Sequence, residues 1–370
     1  MYFMNSSSES EEEGNQLSEV PILTQPRKKE VTLEVTAEKI DTTLAEISAT
    51  VTSEKKPTVR FKGQINGINL EAPPDKFEIA TLKKIKETNA NWISVIPYAI
   101  SYDYKGKVNF DMQRQWWGEK SEGIIATIKM AKKLNLHVMI KPQVWVVRQG
   151  WTGDFELEGE EFEIWKAAYR KYILNYAQIA NNHGAEMLCI GTEYRKMVNK
   201  HPEFWQTLIK DIRKIYAGKL TYAANWDNYE NIQFWDELDY IGIDAYFPLS
   251  DEKTPNVATL KENWQTKLSA IDSIRKKWNK PILFTEYGYQ SIDHTSAGHW
   301  KLEADSLQQN FQAQSNAYEA IFQTFWDREW FAGGFIWKWH IQNWHDHDTS
   351  KRFTPQKKPV LEVIKKRYGQ

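Results

Sequence analysis

The run Met187-Leu188-Cys189-Ile190-Gly191-Thr192-Glu193-Tyr194 is apolar for a strand's length and then presents a carboxylate and a ring. Ile282-Leu283-Phe284-Thr285-Glu286-Tyr287-Gly288-Tyr289 repeats the arrangement further along. Short continuous apolar runs of this kind suit strands buried on both faces, as in a parallel sheet. Six more runs are found by working outward: Phe61–Ile68, Trp92–Tyr98, His137–Val147, Leu220–Asn225, Tyr240–Tyr246 and Gly334–Trp339. Amphipathic segments separate most of them, at Phe77–Thr88, Gly123–Leu134, Glu160–Asn182, Pro202–Tyr216, Leu260–Trp278 and Leu307–Asp327. Eight strands alternating with helices favour a closed (β/α)8 TIM barrel, an α/β fold, over an open doubly wound sheet.

Two stretches fit less well. Only Gln233–Glu237 is available as a helix after the fifth strand, and Gln290–Asp305 is a long segment without a clear period. The helix ending at Asn182-His183-Gly184 carries Trp165, Tyr169, Tyr172, Tyr176 and Ile179 at spacings of three and four, with Gly184 as its left-handed cap. Residues 1–56 are rich in Ser, Glu, Thr and Lys and contain SSSESEEEG, which reads as a disordered or tethering tail. The expected catalytic domain is 57–370.

In such barrels chemistry sits at the carboxyl ends of the strands. There Glu193 follows the fourth strand and Glu286 the seventh, so both can reach one ligand across the mouth. Glycosidic cleavage needs one carboxylic acid to protonate the leaving oxygen and one carboxylate near the anomeric carbon. The chain also holds 17 Trp among 370 residues, and Trp145, Trp151, Trp226, Trp337 and Trp339 fall just after strand-like runs. Aromatic faces fill cores and also stack on sugar rings.

The segments VMIKPQVWV (138–146), LCIGTEY (188–194), LTYAANWD (220–227), DYIGIDAYFP (239–248) and ILFTEYGY (282–289) resemble the retaining β-mannanases of glycoside hydrolase family 113. The resemblance runs from about residue 59 to the end of the chain. It implies Glu193 as acid/base and Glu286 as nucleophile, with their carboxyl groups about 5–5.5 Å apart. Many members of the wider clan carry Asn before the acid/base, whereas this chain has Thr192, in keeping with the narrower family. The implied substrate is a β-linked mannan or glucomannan, although Trp-lined clefts also serve other β-glycans.

Further residues are candidates for binding sugar. Lys141, Gln143 and Trp145 alternate along the third strand and are expected on one face, Lys141 deepest, as a sugar ligand or as the partner of a buried acid. Tyr246 can donate to Glu286, or simply pack at the rim. Asp244 can orient Lys141 or touch substrate. Asn225 and Trp226 suit sugar recognition, and Asp227 can cap the next turn. Trp337 and Trp339 share a strand face, and one of them should floor the subsite of the cleaved sugar. Trp116-Trp117-Gly118-Glu119 is a rim platform or a packed loop.

Other function classes lack their signatures. With 48 basic against 49 acidic residues the net charge is −1, which favours a neutral oligo- or polysaccharide and gives no reason to expect nucleic acid. A metal-dependent barrel would want His-x-His on the first strand, which is absent; His340, His345 and His347 cluster only after the eighth, where His345-Asp346-His347-Asp348 reads as a solvated loop. A phosphate-handling barrel would want Gly-rich turns after the last two strands. A non-catalytic carbohydrate-binding barrel usually lacks one carboxylate, and this chain keeps both. No metal and no organic cofactor is expected. Cys189 is alone, so no intrachain disulfide forms. No apolar run spans a membrane and no signal-peptide pattern is visible, which leaves the compartment open. A monomer is expected.

Overall fold

The computed structural model describes residues 63–102, 105–148, 151–341 and 348–370. The tail expected over 1–56 and the run His345–His347 lie outside the described residues. Eleven strands and eight helices occur among the described ones. The strands are β1 Ile65–Leu70, β2 Trp92–Val95, β3 Tyr98–Tyr102, β4 Lys105–Asn109, β5 His137–Ile140, β6 Gln143–Val147, β7 Met187–Thr192, β8 Lys219–Asn225, β9 Ile241–Asp244, β10 Ile282–Tyr287 and β11 Phe331–Trp339. The helices are α1 Ile79–Lys86, α2 Ser121–Lys133, α3 Gly159–His183, α4 Arg195–Lys200, α5 Pro202–Ile215, α6 Val257–Trp278, α7 Phe311–Phe325 and α8 Val360–Tyr368.

Eight strands close in the order β1-β2-β5-β7-β8-β9-β10-β11, and every neighbouring pair is parallel. This is the TIM barrel expected from the alternation of runs. Its interior is filled by Ile65, Trp92, Met139, Met187, Cys189, Ala223, Leu283 and Phe335, drawn from seven of the eight strands. A larger apolar layer between strands and helices surrounds them. The fifth connection lacks a helix, as the sequence suggested, and makes two short 3₁₀ turns at Tyr229–Asn231 and Trp235–Glu237.

The third strand differs from its reading as one element. It divides at Lys141-Pro142: His137–Ile140 pairs with β2 in the barrel, and Gln143–Val147 pairs in the same register with β3, the next stretch of that neighbouring segment, in a small sheet ordered β4-β3-β6. Proline has no amide hydrogen to give, so the ladder skips Pro142, while the amides of Lys141 and Gln143 on either side still donate to Val95 and Pro97. Lys141 and Gln143, on either side of Pro142, nevertheless reach the same carboxylate oxygen of Glu286.

α3 places its aromatic stripe against the fourth barrel strand. Trp165 stacks on Tyr169 at 4.6 Å between ring centres, and both rings meet Tyr194 edge-on. The helix stops at Gly184, whose φ of 74° is the left-handed cap expected from the sequence. Tyr169 donates to the carbonyl of Ile190, tying helix to strand. The Tyr194 ring, directly after Glu193, is thus packed against α3. No described helix is long and apolar enough to cross a membrane.

Candidate active site

Glu193 directly follows β7 with a left-handed backbone, φ 55°, a region that side-chain-bearing residues rarely adopt. Three contacts hold it there. The amide of Glu193 donates to the Ala223 carbonyl at 2.8 Å, that of Tyr194 to the Tyr222 hydroxyl at 2.8 Å, and that of Arg195 to the Glu193 carbonyl at 2.8 Å. The side chain accepts a hydrogen bond from the Trp151 indole at 2.6 Å. Burial and the nearby charge of Glu286 push the Glu193 carboxyl up to about 7, against the pull of that indole.

Glu286 lies across the mouth on β10, where pairing with β9 slips between Phe284 and Glu286. The slip lets neighbours both engage the mouth: Thr285 donates to Asp244 at 2.7 Å, and Glu286 receives three donors of its own. These are the Tyr246 hydroxyl at 2.8 Å, the Gln143 amide at 3.1 Å and the Lys141 ammonium. Lys141 also stands 3.6 Å from Asp244, and neither side chain is exposed. Burial pulls the Lys141 ammonium down, but Asp244 and Glu286 outweigh it and hold the amine above its ordinary range. Burial and the charge of Glu286 push Asp244 well up, and the same two causes raise the Tyr246 hydroxyl, which stays a donor.

The arrangement therefore offers one carboxyl with a raised pKa facing one carboxylate surrounded by donors. That pairing of environments is what acid-assisted displacement at an acetal carbon requires. Among the described residues there is no group of three or more His, Cys, Asp or Glu that could hold a metal ion.

The profile of Glycoside Hydrolase Family 113 matches residues 75–357. The chain belongs to Glycoside Hydrolase Family 113. It is accordingly a glycoside hydrolase. A solved structure of a β-1,4-mannanase of that family is 26% identical, covers 84% of this chain and 100% of its own, and superposes with a TM-score of 0.72. A family 113 β-mannanase from Alicyclobacillus acidocaldarius is 23% identical, with coverage of 83% and 98% and a TM-score of 0.73, a likeness of fold. A β-glucuronidase from Ruminococcus gnavus shares the fold at 13% identity and a TM-score of 0.59, over 82% of this chain and 51% of its own. A comparison with curated proteins gives no match.

In this family 113 chain the sequence-selected residues are distributed as follows. Glu193, Glu286, Lys141, Gln143, Asp244 and Tyr246 converge through the contacts just given. Trp337 is half-buried, with the Lys141 ammonium 5.9 Å from its ring. Trp339 instead lies 4% exposed in the outer core. Trp145 is 41% exposed on the outer sheet. Asn225 donates to Asp227 at 2.9 Å. Trp226 stacks on Trp300 at 5.1 Å and meets Phe247 edge-on. The Trp116–Glu119 loop packs down: Trp117 is buried edge-on to Phe77 and donates to Glu122.

Several contributors were not selected from sequence. Trp151 contacts Glu193 from a loop, and its position after a strand-like run was the only signal. Thr285, inside the strand, had none beyond adjacency to Glu286. Glu71, after β1, pairs with Lys338 in the neighbouring strand β11 and with His340 just beyond it, and those two hold its carboxyl down at about 2 despite burial. Trp300 comes from the segment whose period could not be read.

Proposed function

We propose that this chain cleaves β-1,4-linked mannan or glucomannan with retention of configuration, Glu193 acting as acid/base and Glu286 as nucleophile. The observation that carries the reading is the contrast between the two carboxyls. Every partner of Glu286 donates to it, so it is fixed and available to attack as an anion. Glu193 is pushed up to about 7 and can hold a proton near neutrality.

In the first step Glu286 attacks the anomeric carbon while Glu193 passes its proton to the leaving glycosidic oxygen. A glycosyl ester to Glu286 results, and Glu193 is left as a carboxylate. Water then enters, Glu193 takes its proton, and the second displacement frees the sugar and Glu286. Tyr246, Gln143 and Lys141 hold Glu286 in line through both steps, and Trp337 supplies a face beside the reacting sugar. Asn225 and Trp226 lie on the side of Glu193, where the leaving portion would rest. The mannan preference is supported by the β-1,4-mannanase to which the chain is 26% identical. Catalysis is assigned to 57–370.

Reducing-sugar release from mannan, glucomannan, cellulose and xylan tests the substrate. Glu193→Gln and Glu286→Gln test the roles: each should abolish hydrolysis of mannan while leaving the fold intact. Full activity in either variant contradicts the assignment, and cleavage of cellulose or xylan in preference to mannan contradicts the substrate.

A further inference from the structure

We infer that Trp151 is a positioning residue for Glu193, a donor clamp locked in place by Arg195, which orients the carboxyl and favours its ionised form. The inference rests on Glu193 being the acid/base. The indole N–H has one hydrogen to give and no lone pair to accept with, so it cannot carry a proton away; it can only aim at the carboxylate oxygen 2.6 Å from it.

The clamp is built from both sides. The Arg195 guanidinium, two residues beyond Glu193, lies 4.6 Å from the centre of the Trp151 ring. Arg195 is itself gripped by Asp154 at 2.7 Å, from the turn that follows Trp151, and by Asp227 at 3.2 Å, from the turn after β8. Asp227 also receives Asn225. Beneath the ring, Gly153 leaves no space: a Cβ there would sit 2.4 Å from indole carbons. Thr152 donates to the Val144 carbonyl at 3.3 Å, anchoring the loop to β6. The ring thus has little freedom to leave the carboxyl.

Glu193 faces Glu286 from β10, Lys141 from the end of β5 and Asp227 from beyond β8, with Arg195 and Asp154 on the far side of the indole. Burial and Glu286 favour the protonated acid needed in the first step. The indole favours the carboxylate needed as base in the second. A residue that merely filled space would leave this balance untouched.

The test is the pH profile of kcat/KM on β-1,4-mannotetraose for wild type, Trp151→Phe, Gly153→Ala and Arg195→Met, each checked for folding by circular dichroism. Trp151→Phe keeps the ring and loses the N–H, so the alkaline limb should move up by roughly one pH unit while the acid limb stays. Its kcat should fall about tenfold or more with KM little changed. Gly153→Ala and Arg195→Met, which displace or unlock the ring, should shift the limb in the same direction, and they carry the test if Trp151→Phe does not fold. Alkaline limbs superimposed on wild type in the folded variants overturn the inference. Glu193→Gln is run beside them: if it retains the limb, the acid/base reading itself fails, whereas loss of the limb there with no shift in Trp151→Phe removes only the clamp.

Discussion

Glu286 takes its three donors from two places in the chain, Lys141 and Gln143 on either side of Pro142 and Tyr246 beyond β9. Tyr246→Phe deletes one hydrogen bond to a charged group, worth about 1.5–3 kcal/mol, and should lower kcat/KM by roughly 10- to 100-fold with folding intact. Steady-state kinetics checks this. Lys141→Met leaves Asp244 and Glu286 facing one another in the interior, and unfolding at neutral pH should show a loss of about 3–5 kcal/mol. The loss should shrink on acidification, because Asp244, already pushed upward by burial and by Glu286, can then take up a proton. Glu193 has the opposite sign of linkage to an ordinary paired carboxylate. Its folded value of about 7 lies above the ordinary 4.5, so the stability it contributes is present below pH 4.5 and is lost as pH rises through 7. Glu193→Gln should therefore be more stable than wild type above pH 7, by on the order of 1–3 kcal/mol, and match it near pH 4. Thermal unfolding across that range decides it. At this scale Glu193 and Glu286 were legible because each ends an apolar run. Trp151 was not, since its bond to Glu193 spans 42 positions and depends on how a loop folds back.

At the scale of elements, the barrel strands were legible because strands covered on both faces must be almost wholly apolar. The outer sheet was not. Only Tyr98 of β3 fell in a strand-like run and β4 fell in none, whereas β6 was read as one strand with β5, and the two do keep one register against their neighbour across Pro142. Trp339 illustrates a related limit: alternation put it beside Trp337, yet it belongs to the outer core, while the Trp337 ring lies 5.9 Å from the Lys141 ammonium. α3 shows how an element can serve a site it does not touch. Its Trp165 and Tyr169 seat Tyr194, and Tyr194 adjoins the strained Glu193. Trp165→Ala should lower stability by about 3–5 kcal/mol in chemical denaturation, with a further loss of kcat in the folded fraction as Tyr194 loosens.

For the molecule as a whole, the aromatic surplus divides between two duties. Trp92, Trp165, Trp205, Trp235 and Trp264 are fully buried, while Trp300 and Trp145 are exposed. The barrel order is what turns distant segments into one site, since it sets β7 and β10 across a common mouth. The central claim, a double displacement through Glu286 assisted by Glu193, is tested most directly by trapping the intermediate. The enzyme is incubated with a 2-deoxy-2-fluoro-β-mannosyl fluoride, digested, and mapped by mass spectrometry. The account predicts a single added fluorosugar on the peptide that contains Glu286, and a greatly slowed labelling in Glu193→Gln with any donor that lacks a good leaving group. A label on another residue, or no label together with product of inverted anomeric configuration, would contradict it.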